Sequence, residues 1–234
     1  MNLDWIAFDA DDTLWQNEEV YREGRERFLK LMAQYSVRDR AEEAVDLVEL
    51  ENLPHYGYGV MSFILSLIET AVEITEGDFR GRDVRTLLEL GKEMLTAPPQ
   101  VFEGVPEVLE ELQHRYPLML ITKGDLFHQQ RKVKSSGLEE YFRAVEVVSR
   151  KTVPVYRNLL DRFSIQPDHF LMVGNSVRSD IQPVAALGGW ALHVKDHLSW
   201  SHEQGVLSSA EQARVFEIGR IDQVGEVICR LADS

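Results

Sequence analysis

The stretch Leu3-Asp4-Trp5-Ile6-Ala7-Phe8-Asp9-Ala10-Asp11-Asp12-Thr13-Leu14-Trp15 sets a mostly apolar run directly against a cluster of carboxylates. A run of this length, stopped by turn-forming residues, reads as a buried strand of a parallel sheet. Five more runs share the pattern, at 118–121, 144–148, 170–173, 190–194 and 215–218. Helical periodicity separates most of them, at 106–115, 127–136, 155–163, 180–187 and 221–231. Strand alternating with helix predicts an α/β fold, an open parallel sheet with helices on both faces. The first connection breaks the rhythm. Between 8 and 118 no strand-like run occurs, and helical patterns cover 18–35, 40–50, 61–75 and 83–95, with breaks at 52–54, 77–81 and 98–99. Four helices suffice for a small bundle. The spacing therefore predicts an inserted four-helix domain over 17–97 and an α/β core made of 1–16 and 98–234.

Composition narrows the partners. The 234 residues are 44% hydrophobic and 27% charged, enough apolar material for one or two cores. Lys and Arg number 25 against 39 Asp and Glu, a formal net charge of −14. So acidic a surface repels phosphate backbones and anionic lipid, which argues against a nucleic acid polymer or a membrane as partner. The predicted insertion holds ten basic and seventeen acidic residues, so neither part is a basic arm. The most apolar stretch, 60–68, is about half of a membrane span. The first residues lack the basic start and apolar run of a signal peptide. One cysteine, Cys229, excludes an internal disulfide and a cysteine-based zinc site. The expectation is a cytoplasmic protein, with Cys229 packed in its last helix.

Ligands of open α/β sheets bind beyond the carboxyl ends of the strands. The first run is followed by Asp9-Ala10-Asp11-Asp12-Thr13 and the second by Thr122-Lys123-Gly124-Asp125. After the third comes Ser149-Arg150-Lys151, and after the fourth Gly174-Asn175-Ser176, with Asp180 opening the next helix. Each piece alone has a plain structural reading, as a helix cap, a turn or a solvated lysine. Their occurrence together, in order, at four successive strand ends is far more specific.

With these motifs in place, the chain resembles the haloacid dehalogenase superfamily of phosphotransferases. F-D-A-D-D-T-L-W at 8–15 looks like the first motif and L-I-T-K-G at 120–124 like the second. Lys151 fits the third, and G-N-S-V-R-S-D at 174–180 the fourth. The resemblance covers nearly the whole chain and implies a Rossmann-like core with a helical cap inserted after the first motif. The fourth motif departs from its commonest form, because Asn175 stands where an aspartate is usual. An amide oxygen ligates magnesium without adding charge, so either Asn175 or Asp180 meets the ion directly.

The resemblance implies a Mg2+-dependent phosphatase whose partner is a small phosphorylated metabolite. Asp9, first off the strand, would attack phosphorus and form an aspartyl-phosphate, splitting hydrolysis into two steps. Mg2+ removes the repulsion between carboxylate and phosphate, with Asp9, the main-chain carbonyl of Asp11, and Asn175 and/or Asp180 as the expected ligands. Two carboxylates so close push one of the pair towards protonation, which suits Asp11 as general acid and then base. Thr122, Lys123 through its N–H, and Gly124 are expected to hold the transferring oxygens while Lys151 neutralises their charge. Two alternatives stand beside this reading. A phosphomutase would use the same intermediate, and a non-catalytic phosphate-binding regulatory module would keep the fold alone. The paired Asp9 and Asp11 argue against the module, and Asn175 is the one feature in its favour.

Weaker signals remain. In His55-Tyr56-Gly57-Tyr58-Gly59, Tyr56 and Tyr58 are candidates for substrate binding, against a plainer reading as aromatic packing. Trp15 and Asn17 lie at the crossing into the insertion and either line an entrance or pack a hinge. His193, His197 and His202 are too loosely spaced for a metal site and read as loop histidines. The expected assembly is a monomer or a homodimer.

Overall fold

The computed structural model describes residues 2–195, 205 and 207–232; His197 and His202 lie outside them. In chain order, β1 (Trp5–Phe8) and β2 (Trp15–Gln16) precede four helices, α1 (Glu18–Ala33), α2 (Arg38–Tyr56), α3 (Val60–Ile74) and α4 (Gly81–Thr96). Then come β3 (Gln100–Val101), α5 (Val105–Gln113), β4 (Leu118–Lys123), α6 (Leu126–Ser136), β5 (Ala144–Val148) and α7 (Val153–Phe163). The chain ends with β6 (Phe170–Gly174), α8 (Gln182–Ala186), β7 (Trp190–Val194), α9 (Ser209–Gln212), β8 (Val215–Ile218) and α10 (Val224–Ala232). These elements fall into two compact units, Met1–Glu18 with Pro99–Ser234, and Glu19–Pro98.

In the first unit six parallel strands form one sheet in the order β5-β4-β1-β6-β7-β8. β1 lies in the middle, with Phe8 level with Leu120 of β4 and Val173 of β6. From β1 the chain moves outward through β4 and β5, then returns to the other side of β1 as β6. Such a reversal opens a crevice at the carboxyl ends of the strands. The period of two decides which residues build which core. Ile6 and Phe8 pack with Leu109, Leu112, Val224 and Ile228 from α5 and α10, while Ala7 packs with Tyr156, Leu159 and Leu160 from α7. Both faces of the sheet are thus covered, which is why its strands read as unbroken apolar runs. β2 and β3 form an antiparallel ladder, Trp15 opposite Val101 and Gln16 opposite Gln100. Strands of two residues carry no alternation signal, and only the crossing itself was foreseeable.

The second unit has a core of its own, including Phe28 and Met32 of α1, Val45 of α2, Ile64 and Leu67 of α3, and Leu87 and Leu90 of α4. Three local expectations are corrected. The break expected at 52–54 does not occur, since α2 runs through Pro54 to Tyr56. A proline this near the end removes only one helical N–H bond. The buried Asn52 meanwhile anchors the segment by donating to Ser66 Oγ on α3 at 3.1 Å. The helix expected over 180–187 begins instead as a π turn, Val177–Ile181, in which the Ile181 N–H reaches Ser176 O at 3.2 Å. Cys229 is exposed, because Val224 and Ile228 take the inward face of α10. Among the described residues no helix is long and apolar enough to cross a membrane.

Candidate active site

Asp9 leaves β1 with its N–H still bonded to Val173 O of β6 at 2.8 Å, so its backbone is fixed by the central ladder. The side chain is buried, and its two oxygens have different partners. Oδ1 accepts from Lys151 Nζ, and Oδ2 accepts from the Thr13 hydroxyl at 3.1 Å. Lys151 stands between the ends of β5 and α7, its side chain only 1% exposed, and also donates to Asp180 Oδ1 at 2.6 Å. Asp180 is held from behind as well, its Oδ2 accepting the Ser176 N–H at 3.0 Å inside the π turn. One buried cation therefore joins carboxylates from two strand ends. Removing it would leave both charges uncompensated, the costly way to break a buried pair.

Gly174 makes room for this arrangement. A Cβ built there would lie 2.4 Å from Asp180 Oδ2 and 2.5 Å from its Cγ. Gly174→Ala is expected to push Asp180 off Lys151 and to cost about 1–3 kcal/mol, the scale of overpacking a tight interior. Thermal melting checks it, and an unchanged melting temperature would show that Asp180 shifts freely.

Thr122, near the end of β4, is 1% exposed, and its Oγ1 is buried with no hydrogen-bond partner among the described residues. An unpaired buried hydroxyl costs about 1–3 kcal/mol, so such an atom points to a polar group from outside the chain. The loop after it turns on Gly124, whose φ of +138° lies in the region that favours glycine. Gly124 N–H donates to Val148 O at 3.2 Å, tying the loop to β5. Lys123 Nζ donates to Ser179 Oγ at 3.2 Å, linking it to the π turn.

Asp11 is held apart from Asp9. Its Oδ1 accepts from Trp15 Nε1 at 2.6 Å and from Lys132 Nζ, and its Oδ2 from Gln129 Nε2 at 2.8 Å. Its neighbour Asp12 adopts a left-handed φ of 61° and caps the start of α1, accepting the N–H groups of Asn17 and Glu18 at 2.8 and 2.9 Å. Trp15 is fully buried, so it lines no surface. The expected sharing of a proton is reversed. Burial first, then the Asp180 carboxylate, push the Asp9 carboxyl up to about 7 against the pull of Lys151. Burial would raise Asp11 too, but Lys132 and the hydrogen bonds from Gln129 and Trp15 outweigh it and hold Asp11 below the usual carboxylate range. Lys151 itself loses by burial yet is held above its ordinary value by Asp180 and Asp9. The two carboxylates have separate lysines, so neighbourhood in sequence does not decide which is the weaker acid.

Asn175 follows β6. Its N–H donates to Thr13 Oγ1 at 3.1 Å, its Oδ1 lies 3.4 Å from the same hydroxyl, and its carbonyl accepts from His193 Nε2 at 3.0 Å. His193 is therefore a support for the β6 end. Tyr56 is the last residue of α2 and 52% exposed, and Tyr58 lies in the turn before α3. The contacts thus bring together Asp9, Lys151 and Asp180, and through Thr13 also Asn175. Sequence reasoning assigned no role to Thr13, Ser176, Gln129 or Lys132. For the last two a signal existed: three residues apart, they share the face of α6 that also carries the buried Val133.

The model of the family described as haloacid dehalogenase-like hydrolase matches residues 3–188. N-acylneuraminate-9-phosphatase of Rattus norvegicus is 29% identical over 191 residues, 76% of this chain and 76% of that one. Pyrimidine 5'-nucleotidase YjjG of Escherichia coli (strain K12) is 26% identical over 197 residues, 77% of this chain and 81% of that one. Among solved structures, a haloacid dehalogenase-like family hydrolase from Xanthomonas campestris superposes with a TM-score of 0.86 at 34% identity, covering 98% of this chain and 91% of that one. The HAD-hydrolase YfnB of Bacillus subtilis, bound to magnesium, shares the fold with a TM-score of 0.67 at 14% identity, over 98% of this chain and 100% of its own.

Proposed function

Because the chain belongs to the haloacid dehalogenase-like hydrolases, we propose that it is a magnesium-dependent phosphatase of a small phosphomonoester, working through an aspartyl-phosphate on Asp9 with Asp11 as general acid and base. The observation that supports this reading best is the buried Thr122 hydroxyl without a partner, at the strand end beside the Asp9–Lys151–Asp180 cluster. It offers a hydrogen bond where a phosphate oxygen would need one, next to a carboxylate and a compensating ammonium.

The donor chemistry fits magnesium. Among the described residues no three His, Cys, Asp or Glu side chains form a ready metal cluster, so an amide or main-chain oxygen has to complete the set. Asp9, Asp180, Asn175 Oδ1 and the Asp11 carbonyl are all hard oxygens, and the two carboxylates match the charge of the ion. Bound there, magnesium would neutralise the phosphate oxygens that face Asp9. The remaining work falls to the chain. Thr122 and the N–H of Lys123 orient the phosphoryl group, and Lys151 favours the anionic form of Asp9. The Asp9 carboxylate attacks phosphorus as the ester P–O bond breaks, and Asp11, ionised beside Lys132 in the free protein, passes to the departing alkoxide a proton that it takes up from the bound phosphate monoanion. Asp11 then takes a proton from water as that water attacks the aspartyl-phosphate, which frees phosphate and restores both aspartates. Substrate choice is assigned to Tyr56 and Tyr58 of the helical unit, and the enzyme to the cytoplasm as a monomer or homodimer.

Phosphate release from a panel of esters, with magnesium and with a chelator, tests the proposal. N-acylneuraminate 9-phosphate and pyrimidine 5'-nucleotides head the panel, since two relatives are named for them. Magnesium-dependent release from one ester class is expected, and no release from any would overturn the reading. Asn175 has its own test. One added formal charge among oxygen ligands should lower the magnesium needed for half-maximal rate by roughly tenfold in Asn175→Asp, about 1.4 kcal/mol. An unchanged requirement would leave that side of the site to Asp180.

A further inference from the structure

Two donors from α6, Gln129 and Lys132, join Trp15 in gripping Asp11, and we propose that Lys132, with Gln129 and Trp15, is the positioning residue for this acid and base. The grip fixes Asp11 so that Oδ2 is the atom that carries the transferred proton. This inference rests on the phosphatase reading above.

The side chains of α6 are placed with some precision. Asp125 caps the helix by accepting the His128 N–H at 2.8 Å. Gln129 and Lys132 then face inward, 4% and 7% exposed. Lysine is rarely buried unless paired, because its ammonium loses hydration. Lys132 Nζ recovers that loss by donating to Asp11 Oδ1 and, at 2.9 Å, to Asn17 Oδ1, and it lies 5.9 Å from the centre of the Trp15 ring. The Gln129 amide is shared between Asp11 Oδ2 and, at 2.9 Å, the carbonyl of Lys123. The acid is thereby registered against the end of β4, which carries Thr122.

Counting lone pairs identifies the working atom. A carboxylate offers about four acceptor sites, two on each oxygen. Trp15 and Lys132 occupy both on Oδ1, whereas Gln129 takes one on Oδ2. The remaining site is on Oδ2, the oxygen whose partner Gln129 also donates to the Lys123 carbonyl at the end of β4. A general acid has to stand within hydrogen-bond reach of the leaving oxygen. Without Lys132 the Asp11 side chain can rotate away, and a misplacement of about 1 Å costs up to about 100-fold in rate.

The test compares wild type, Lys132→Met, Lys132→Arg, Asp11→Asn and the double variant Lys132→Met/Asp11→Asn. The readout is kcat/KM on phenyl phosphate, whose leaving group needs a proton, and on p-nitrophenyl phosphate, whose leaving group hardly does. Lys132→Met is expected to lose about 10- to 100-fold on phenyl phosphate and less than about threefold on p-nitrophenyl phosphate. Lys132→Arg should recover most of the loss. In the Asp11→Asn background the Met substitution should change kcat/KM by less than about twofold, because the two act as a unit. Equal losses on both esters, or an undiminished loss in that background, would overturn the inference. If Lys132→Met does not fold, Lys132→Gln keeps a donor without the charge and is read the same way. A crystal structure of Lys132→Gln separates this inference from the phosphatase reading. A displaced Asp11 carboxylate supports the positioning role even if wild type releases no phosphate, whereas an unmoved one rejects it whatever the activity.

Discussion

Asp9→Asn should abolish phosphate release while leaving the protein at least as stable as wild type. A neutral amide has no carboxylate to attack phosphorus, and removing the nucleophile of a covalent hydrolase typically costs about 10⁴-fold or more. The stability side follows from burial. Asp9 is desolvated and lies near Asp180, which together disfavour its charged form despite Lys151. An asparagine of nearly the same shape removes that penalty, and Lys151 keeps Asp180 as its partner at 2.6 Å. Melting temperature and phosphate release, measured on one preparation, check both halves. A variant that keeps its rate would remove Asp9 from the chemistry. One that melts well below wild type would show that the Asp9–Lys151 contact carries stability. The pairing of lost activity with retained stability is what a site strained for function produces.

Asp11→Asn is expected to behave differently in both respects. Its loss should depend on the leaving group, about 10²- to 10⁴-fold on phenyl phosphate and far less on p-nitrophenyl phosphate. Because kcat/KM covers only the steps up to departure of the alcohol, it isolates the acid role from the later base role. Equal losses on the two esters would count against Asp11 as the acid. Stability should fall, since buried Lys132 then loses its carboxylate partner and faces only neutral groups, the new amide, Asn17 and the Trp15 ring. Two aspartates two positions apart are thus expected to respond with opposite signs to the same substitution, because each is balanced by a different lysine.

The sheet was legible because its strands are buried on both faces. All six runs singled out by hydropathy are strands of the one sheet, and their order about β1 follows from ordinary crossovers. What escaped was either too short or decided by a neighbour. The two-residue strands β2 and β3 have no periodicity to read. Pro54 looked like a stop, but a helix loses little to a proline in its last turn, and Asn52 is pinned to α3 from the side. At the site, residues that follow strands were visible because strand ends are where such folds bind ligands. Lys132 and Gln129 lie within a helix rich in polar residues, where only their shared face with Val133 sets them apart. The protonation of the aspartates could not be read from spacing at all. It depends on Lys132 and Lys151, which reach Asp11 and Asp9 from distant parts of the chain.

Rapid acid quench during turnover of p-nitrophenyl phosphate, followed by peptide mass mapping, asks directly whether Asp9 carries the phosphoryl group. The expected result is a mass gain of one phosphoryl group on the peptide containing Asp9, at Asp9 itself and absent from Asp9→Asn. It should fade as the ester is exhausted. Full phosphate release with Asp9 never modified at any quench time would mean that water attacks the ester directly, and the covalent route through Asp9 would be wrong.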